Sequence, residues 1–248
     1  MTAYAEQGSA KSASCEVAGT TRALAVDFES GSLDALPSGV RANPPNSEAI
    51  VIVDAVHRNG KYAARVTVDD SLAFVFPDGS NRIRAELTTL DAAESSFAEG
   101  EKRSYRLSFM LSPDWVFDSR DSPDIVWQWK RTGGPPDMFM AVKGSDLVLR
   151  IGSTTQLTLI PSLRVGTWVD VCLQVDWSAS RSGRVEPFHR YQGATEYIAS
   201  AAFSGATLAT RPGKTYLKWG IYKPDNYLSS TSRGPHVVYF DDIAIDDR

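Results

Sequence analysis

The sequence predicts an all-β chain built as a two-sheet sandwich or jelly roll. Short segments of alternating apolar and polar residues recur, with turn signals roughly every eight to twelve residues. Helical periodicity is scarce; only Asp91 to Glu99 reads as a short helix. Three widely separated segments, Arg82–Leu87, Ile125–Lys130 and Tyr216–Lys223, are each apolar on one side and polar on the other.

In chain order, residues 1–20 read as a poorly ordered tail and 21–248 as one domain. Leu24 to Phe28 alternates as a strand and runs into a turn at Glu29–Ser32, and the prolines between Leu33 and Ser47 mark an irregular loop. Ala49–Val56 and Tyr62–Val68 form a hairpin around Arg58-Asn59-Gly60. Pro77-Asp78-Gly79-Ser80 is a turn into the first polar-faced segment. Tyr105–Leu111 alternates and stops at Ser112-Pro113-Asp114-Trp115, and a polar loop spans 118–124. Thr132-Gly133-Gly134-Pro135-Pro136 cannot continue a central strand, so the chain leaves the sheet there. Strands follow at Met138–Val142, Leu147–Ile151, Gln156–Ile160, Val169–Trp177 and Val185–Tyr191. Loops over 198–214 and 224–235 flank the third polar-faced segment, and Val237–Ile245 closes the chain.

A chain of 248 residues fits one large all-β domain, long enough to bury roughly three quarters of its unfolded surface. A net charge of −4 argues against a partner that is nucleic acid or a membrane surface, so any anion site is a local cluster. No apolar run approaches the ~18 residues of a membrane span. The first twenty residues lack the apolar stretch of a signal peptide. Either the protein is not exported by that route, or the chain starts at a mature end. Cys15 and Cys172 permit one disulfide; the alternative is a buried free Cys172 and an exposed Cys15.

Side chains alternate between the faces of a strand. Arg82, Arg84 and Glu86 therefore share one face, as do Gln128 and Lys130, and Tyr216, Lys218, Gly220 and Tyr222. Trp127, Trp129 and Trp219 fall on the opposite faces, where core packing is expected of them, while Trp115 at a strand end is core or sugar platform. If the three strands lie in one sheet, its wet face is a cationic, aromatic groove suited to an anionic chain. The bland alternative is an ordinary solvated sheet surface.

Arg84-Ala85-Glu86-Leu87, Gln128-Trp129-Lys130 and Tyr216 to Tyr222 resemble, in that order, the R-x-E-L, Q-x-H and Y-x-K-x-G-x-Y strands of jelly-roll alginate lyases. The flanking text is similar to the heparin lyase I and glucuronan lyase group: Ser112 to Trp115 before the second strand, then Gly166-Thr167-Trp168 with Asp170 and Trp177, then Lys218 to Tyr222. The resemblance spans roughly residues 24 to 246 and implies a β-jelly roll, a concanavalin-like sandwich with a concave substrate groove. It also implies β-elimination on a uronic-acid polysaccharide such as glucuronan, alginate or a glycosaminoglycan.

That reaction needs the uronate carboxylate neutralised, the C5 proton removed and the leaving oxygen protonated. Arg84 and Gln128 match the neutralising positions, and Tyr222 the proton-transferring one. The family histidine is replaced by Lys130, expected as a fixed cation that tunes Tyr222, or else as a base. Lys218, Tyr216, Arg82, Glu86 and Lys223 are expected to bind substrate, with Glu86 paired to Arg84 or Arg82. His57, beside a hairpin tip, is a further candidate base; His189 and His236 are read as structural. No cofactor is expected for catalysis. Glu29 and Asp241, near the first and last strands, are candidate ligands of a structural calcium or else solvated carboxylates. A monomer, secreted or periplasmic, is expected. The rivals are a non-catalytic carbohydrate-binding module and a glycoside hydrolase; the latter needs two carboxylates across the bond, and Glu86 is the only one on the proposed face.

Overall fold

The computed structural model describes residues 15, 19–44, 47–69, 74–75, 81–117, 123–224 and 235–248. Within them the chain is almost entirely antiparallel β-structure in two sheets. The nine-stranded sheet runs β14 (Ile198–Ala199), β13 (Arg184–Tyr191), β12 (Val169–Asp176), β7 (Lys102–Leu111), β17 (His236–Asp247), β4 (Ala63–Val68) and β3 (Ile50–Val53). In it β1 (Thr21–Val26) also pairs with β17, and β15 (Phe203–Ser204) with β13. The eight-stranded sheet runs β11 (Thr155–Ile160), β10 (Asp146–Ile151), β9 (Met138–Lys143), β8 (Pro123–Arg131), β16 (Thr215–Lys223), β6 (Asn81–Thr88) and β2 (Arg41–Asn43), with β5 (Phe74–Val75) paired to β6.

Alternation decides which side chains fill the space between the sheets. Tyr105, Leu107, Phe109 and Leu111 of β7 face inward with Val169, Val171, Leu173 and Val175 of β12. They meet Leu217, Trp219 and Ile221 of β16 and Ile83, Ala85 and Leu87 of β6 in one continuous core. Trp127, Trp129 and Trp219 are buried as expected, with the Trp127 and Trp219 rings stacked at 5.6 Å. Burying aromatic side chains supplies much of the core's stabilisation, since each removes a large apolar area from water.

The first and last strands meet, Leu24 opposite Ile245. Cys15 is disulfide-bonded to Cys172, and both are buried, so the free-cysteine alternative does not hold. Most of the tail expected over 1–20 lies outside the described residues, as do the Pro77–Ser80 turn and most of the 118–124 and 224–235 loops.

Three expectations are corrected. Asp91 to Glu99 holds only a 3₁₀ turn at Ala93–Ser95. The loop from Leu33 to Ser47 contains a 3₁₀ turn at Leu33–Ala35 and the edge strand β2, paired with β6. The 198–214 loop contributes β14 and β15 to the edge of the nine-stranded sheet. Each segment is too short to carry a periodic signal, and for β2, β14 and β15 pairing with a longer strand supplies the conformation.

Candidate active site

The three polar-faced segments are neighbours, with β16 between β8 and β6. Lys218 sits opposite Gln128, Tyr216 opposite Lys130, Gly220 opposite Glu86, and Tyr222 between Arg84 and Ile125. Residues more than 130 positions apart in the chain thus meet on one face because a central strand accepts partners on both edges. Gly220 makes this possible. Its φ of +140° is a conformation that L side chains rarely adopt, and a Cβ there would come within 2.1 Å of the Ala85 carbonyl oxygen.

At the centre lies Glu86, only 3% exposed. One carboxylate oxygen accepts a hydrogen bond from Gln128 Nε2 at 2.5 Å, and the other accepts one from Lys218 Nζ at 2.8 Å, with Arg84 Nε 4.0 Å away. The expected Glu86–Arg84 pair is therefore the longest of the three contacts; Lys218 and Gln128 hold the carboxylate more closely. Gln128 and Lys218 are 3% and 8% exposed. In so dry a place each partner needs the others, because a lone buried charge costs several kcal/mol.

Lys130 lies one step further along the face, opposite Tyr216. Tyr222 lies opposite Ile125 at the other end of β16, so Lys130 is not placed to tune Tyr222 as expected. Its ammonium donates to the Gly134 carbonyl, and burial, followed by the fields of Lys218 and Arg211, pushes its pKa down to about 8. Arg211 was missed by sequence reasoning; it arrives from a loop and donates to the Pro135 carbonyl and to Asp137. Asp137 is also bound by Arg131 at 3.0 Å. Together these bonds fasten the Thr132–Pro136 excursion, whose glycines and prolines gave the turn but not its partners. Tyr216 is buried beside Lys130, and burial together with the Glu86 charge raises its pKa. Tyr222 is half-buried against an apolar patch of Ile125, Phe139, Ala141 and Val148. Among the described residues, the basic side chains of Arg84, Lys130 and Lys218 surround the Glu86 carboxylate on this face.

Other expected site residues lie elsewhere. His57 is exposed, its Nδ1 3.1 Å from the Asp54 carbonyl, on the loop between β3 and β4. The next residue, Arg58, binds Asp170 and Asp241 on the outer face of the nine-stranded sheet, so His57 is on the far side of the sandwich from Tyr222. Lys223 follows Tyr222 and so points inward; it is buried, 3.7 Å from Asp124 and 3.5 Å from His236. It does not lie on the outer face that carries Tyr222, where it was expected to bind substrate. The Arg82 side chain lies outside the described residues. Glu29 accepts backbone N–H bonds from Lys61 and Tyr62, and Asp241 accepts them from Arg58 and Asn59, so the two carboxylates bracket one turn. Gly60 suits the turn because its φ of +60° is a conformation that L side chains rarely adopt. Among the described residues no group of three or more acidic, histidine or cysteine side chains converges. A calcium at this turn would take its remaining oxygens from carbonyls and water.

The family described as polysaccharide lyase matches residues 27–244, which include every strand of the polar face. This chain belongs to the polysaccharide lyase family. No match was found among curated protein sequences. Among solved structures, an endo-β-1,4-glucuronan lyase from the fungus Trichoderma reesei superposes with a TM-score of 0.67 at 18% identity, covering 91% of this chain and 95% of that one. A marine alginate lyase from Aplysia kurodai gives 0.61 at 9% identity, covering 91% and 98%. A glycoside hydrolase family 131 catalytic domain from Coprinopsis cinerea gives 0.56 at 13%, covering 88% and 87%. These likenesses establish the jelly-roll fold, and their different chemistries show that the fold alone does not set the reaction. The lyase assignment comes from the family match.

Glu86→Gln tests the cluster. Removing the carboxylate's charge while keeping its shape leaves the buried Lys218 uncompensated, with an expected loss of roughly 3 kcal/mol of stability. Urea unfolding checks this, and an unchanged midpoint would contradict the arrangement.

Proposed function

We propose that the protein cleaves a uronic-acid polysaccharide by β-elimination on the outer face of the eight-stranded sheet. The observation that carries this reading is the cluster of Arg84, Lys218 and Gln128 around Glu86 on one sheet face, beside a tyrosine that sits directly across from Arg84. A uronate carboxylate would be held by these donors. Arg84 would neutralise it, assisted by Gln128, and each donor aimed at the developing enolate would contribute about 3–4 kcal/mol. Tyr222 would take the C5 proton and return one to the departing glycosidic oxygen. Glu86 and Lys218 hold the donors in place, and Tyr216 lines the same face. The Cys15–Cys172 disulfide supports an oxidising, secreted or periplasmic location.

The protein is incubated with a panel of uronic-acid polymers and ultraviolet absorbance is followed. Elimination creates a conjugated unsaturated uronate, which hydrolysis and simple binding do not. A rising signal on at least one polymer is expected, with Tyr222→Phe inactive and still folded. Binding without product would favour a carbohydrate-binding module instead.

Lys130 is read as a substrate-binding cation, which fixes the sign of its pH effect. The charged form is lost as pH rises through about 8, so kcat/KM should fall there. A bound carboxylate stabilises the ammonium, so the corresponding fall in kcat should lie at higher pH. Lys130→Arg should carry the kcat/KM limb upward with activity retained. A kcat/KM that climbs through the same region would instead make neutral Lys130 the base.

A structural calcium at the turn held by Glu29 and Asp241 belongs to the same proposal. Burial and the adjacent Asp242 push the Asp241 carboxyl up to about 6, so its ionised form is undercompensated and a cation would relieve it. Added calcium should raise the melting temperature of the wild type and leave Asp241→Ala unmoved. The same absence of shift in the wild type would discard the site.

A further inference from the structure

We propose that Asp124, His236 and Lys223 form a positioning device for Tyr222, an inference that rests on Tyr222 being the proton-transferring residue. The three side chains come from three strands and meet in the buried space between the sheets. His236 Nδ1 lies 3.1 Å from Asp124 Oδ2, and His236 Nε2 lies 3.5 Å from Lys223 Nζ. Lys223 Nζ is also 3.7 Å from Asp124 Oδ1, and the Trp115 ring closes the cluster, its centroid 4.3 Å from that of the imidazole. An ammonium has only hydrogens to offer, so Nε2 is the accepting nitrogen and Nδ1 carries the proton donated to Asp124. Both imidazole nitrogens are thus engaged.

The location gives the cluster its purpose. Lys223 and Asp124 are the chain neighbours of Tyr222 and Ile125, and those two residues face one another across β16 and β8. On the outer side Tyr222 packs on Ile125; directly behind them the two charged residues converge on one histidine of the opposite sheet. The backbone ladder is irregular at this point. The β16–β8 register shifts between Trp219 and Tyr222, and the β8–β9 register shifts between Ile125 and Trp127. A strand end with an interrupted ladder is less firmly fixed by backbone pairing. The charged clasp to β17 supplies the missing restraint, anchoring the Tyr222 end of β16 to the other sheet. A tyrosine that must reach both a C5 proton and a glycosidic oxygen needs that restraint, since a misplacement of about 1 Å costs about a hundredfold in rate.

The test uses the full chain and the polymer on which it is active. Asp124→Asn keeps the shape and removes the charge; Lys223→Met keeps an unbranched chain in the same space and stands in if the first variant does not fold. Each is expected to lower kcat about ten- to a hundredfold with KM unchanged, measured well below its own melting temperature. In the Tyr222→Phe background neither should lower the residual rate further, because the device acts through that hydroxyl. A fall in melting temperature with wild-type kcat would make the cluster merely structural and overturn the inference. Full activity in Tyr222→Phe alone would overturn both this inference and the role given to the tyrosine. An inactive Tyr222→Phe beside fully active clasp variants would remove the inference and leave that role intact.

Discussion

The proposed substrate face depends on one buried carboxylate. Glu86 holds Lys218 and Gln128 in fixed positions at a place where neither has enough water to be stable alone. Removing charges from solvent is expensive, and it is offset here by close hydrogen bonds with both carboxylate oxygens. Among the described residues Arg84 and Lys130 join Lys218 around that carboxylate. In the proposed reading, this cluster of basic side chains would hold an anionic ligand.

The opposite face of the sandwich makes the contrast. A cavity of about 360 Å³ there is lined by Arg22, Arg106, Arg190, Asp27, Asp170 and Asp242 among others. Its arginines are paired: Arg22 and Arg106 with Asp246, and Arg190 with Asp170. Three partners lower the pKa of Asp170 against its burial, so its charge is well compensated. The basic and acidic side chains on this side thus serve each other.

Much of this was legible in the sequence because strand alternation is local. The period of two placed Trp127, Trp129 and Trp219 inside and Arg84, Gln128, Lys130 and Lys218 outside, as found. The same rule, applied strictly from Tyr222, puts Lys223 behind the sheet; counting it as a substrate residue ignored the alternation. His57 failed for a different reason. A hairpin tip reads clearly from Arg58-Asn59-Gly60, but which sheet it overhangs depends on Arg58 reaching Asp170, 112 residues away. Arg211, Asp137 and the Asp124–His236–Lys223 clasp were invisible on similar grounds. Each is a long-range pairing of single polar residues whose local text reads as loop or strand end.

The most direct measurement of the central claim is a crystal structure of Tyr222→Phe with a uronate oligosaccharide bound. The account predicts one sugar carboxylate within hydrogen-bond reach of Arg84 and its neighbours around Glu86, and the scissile linkage beside the phenyl ring at position 222. An oligosaccharide seated on the outer face of the nine-stranded sheet, or one whose carboxylates all point to solvent, would contradict it.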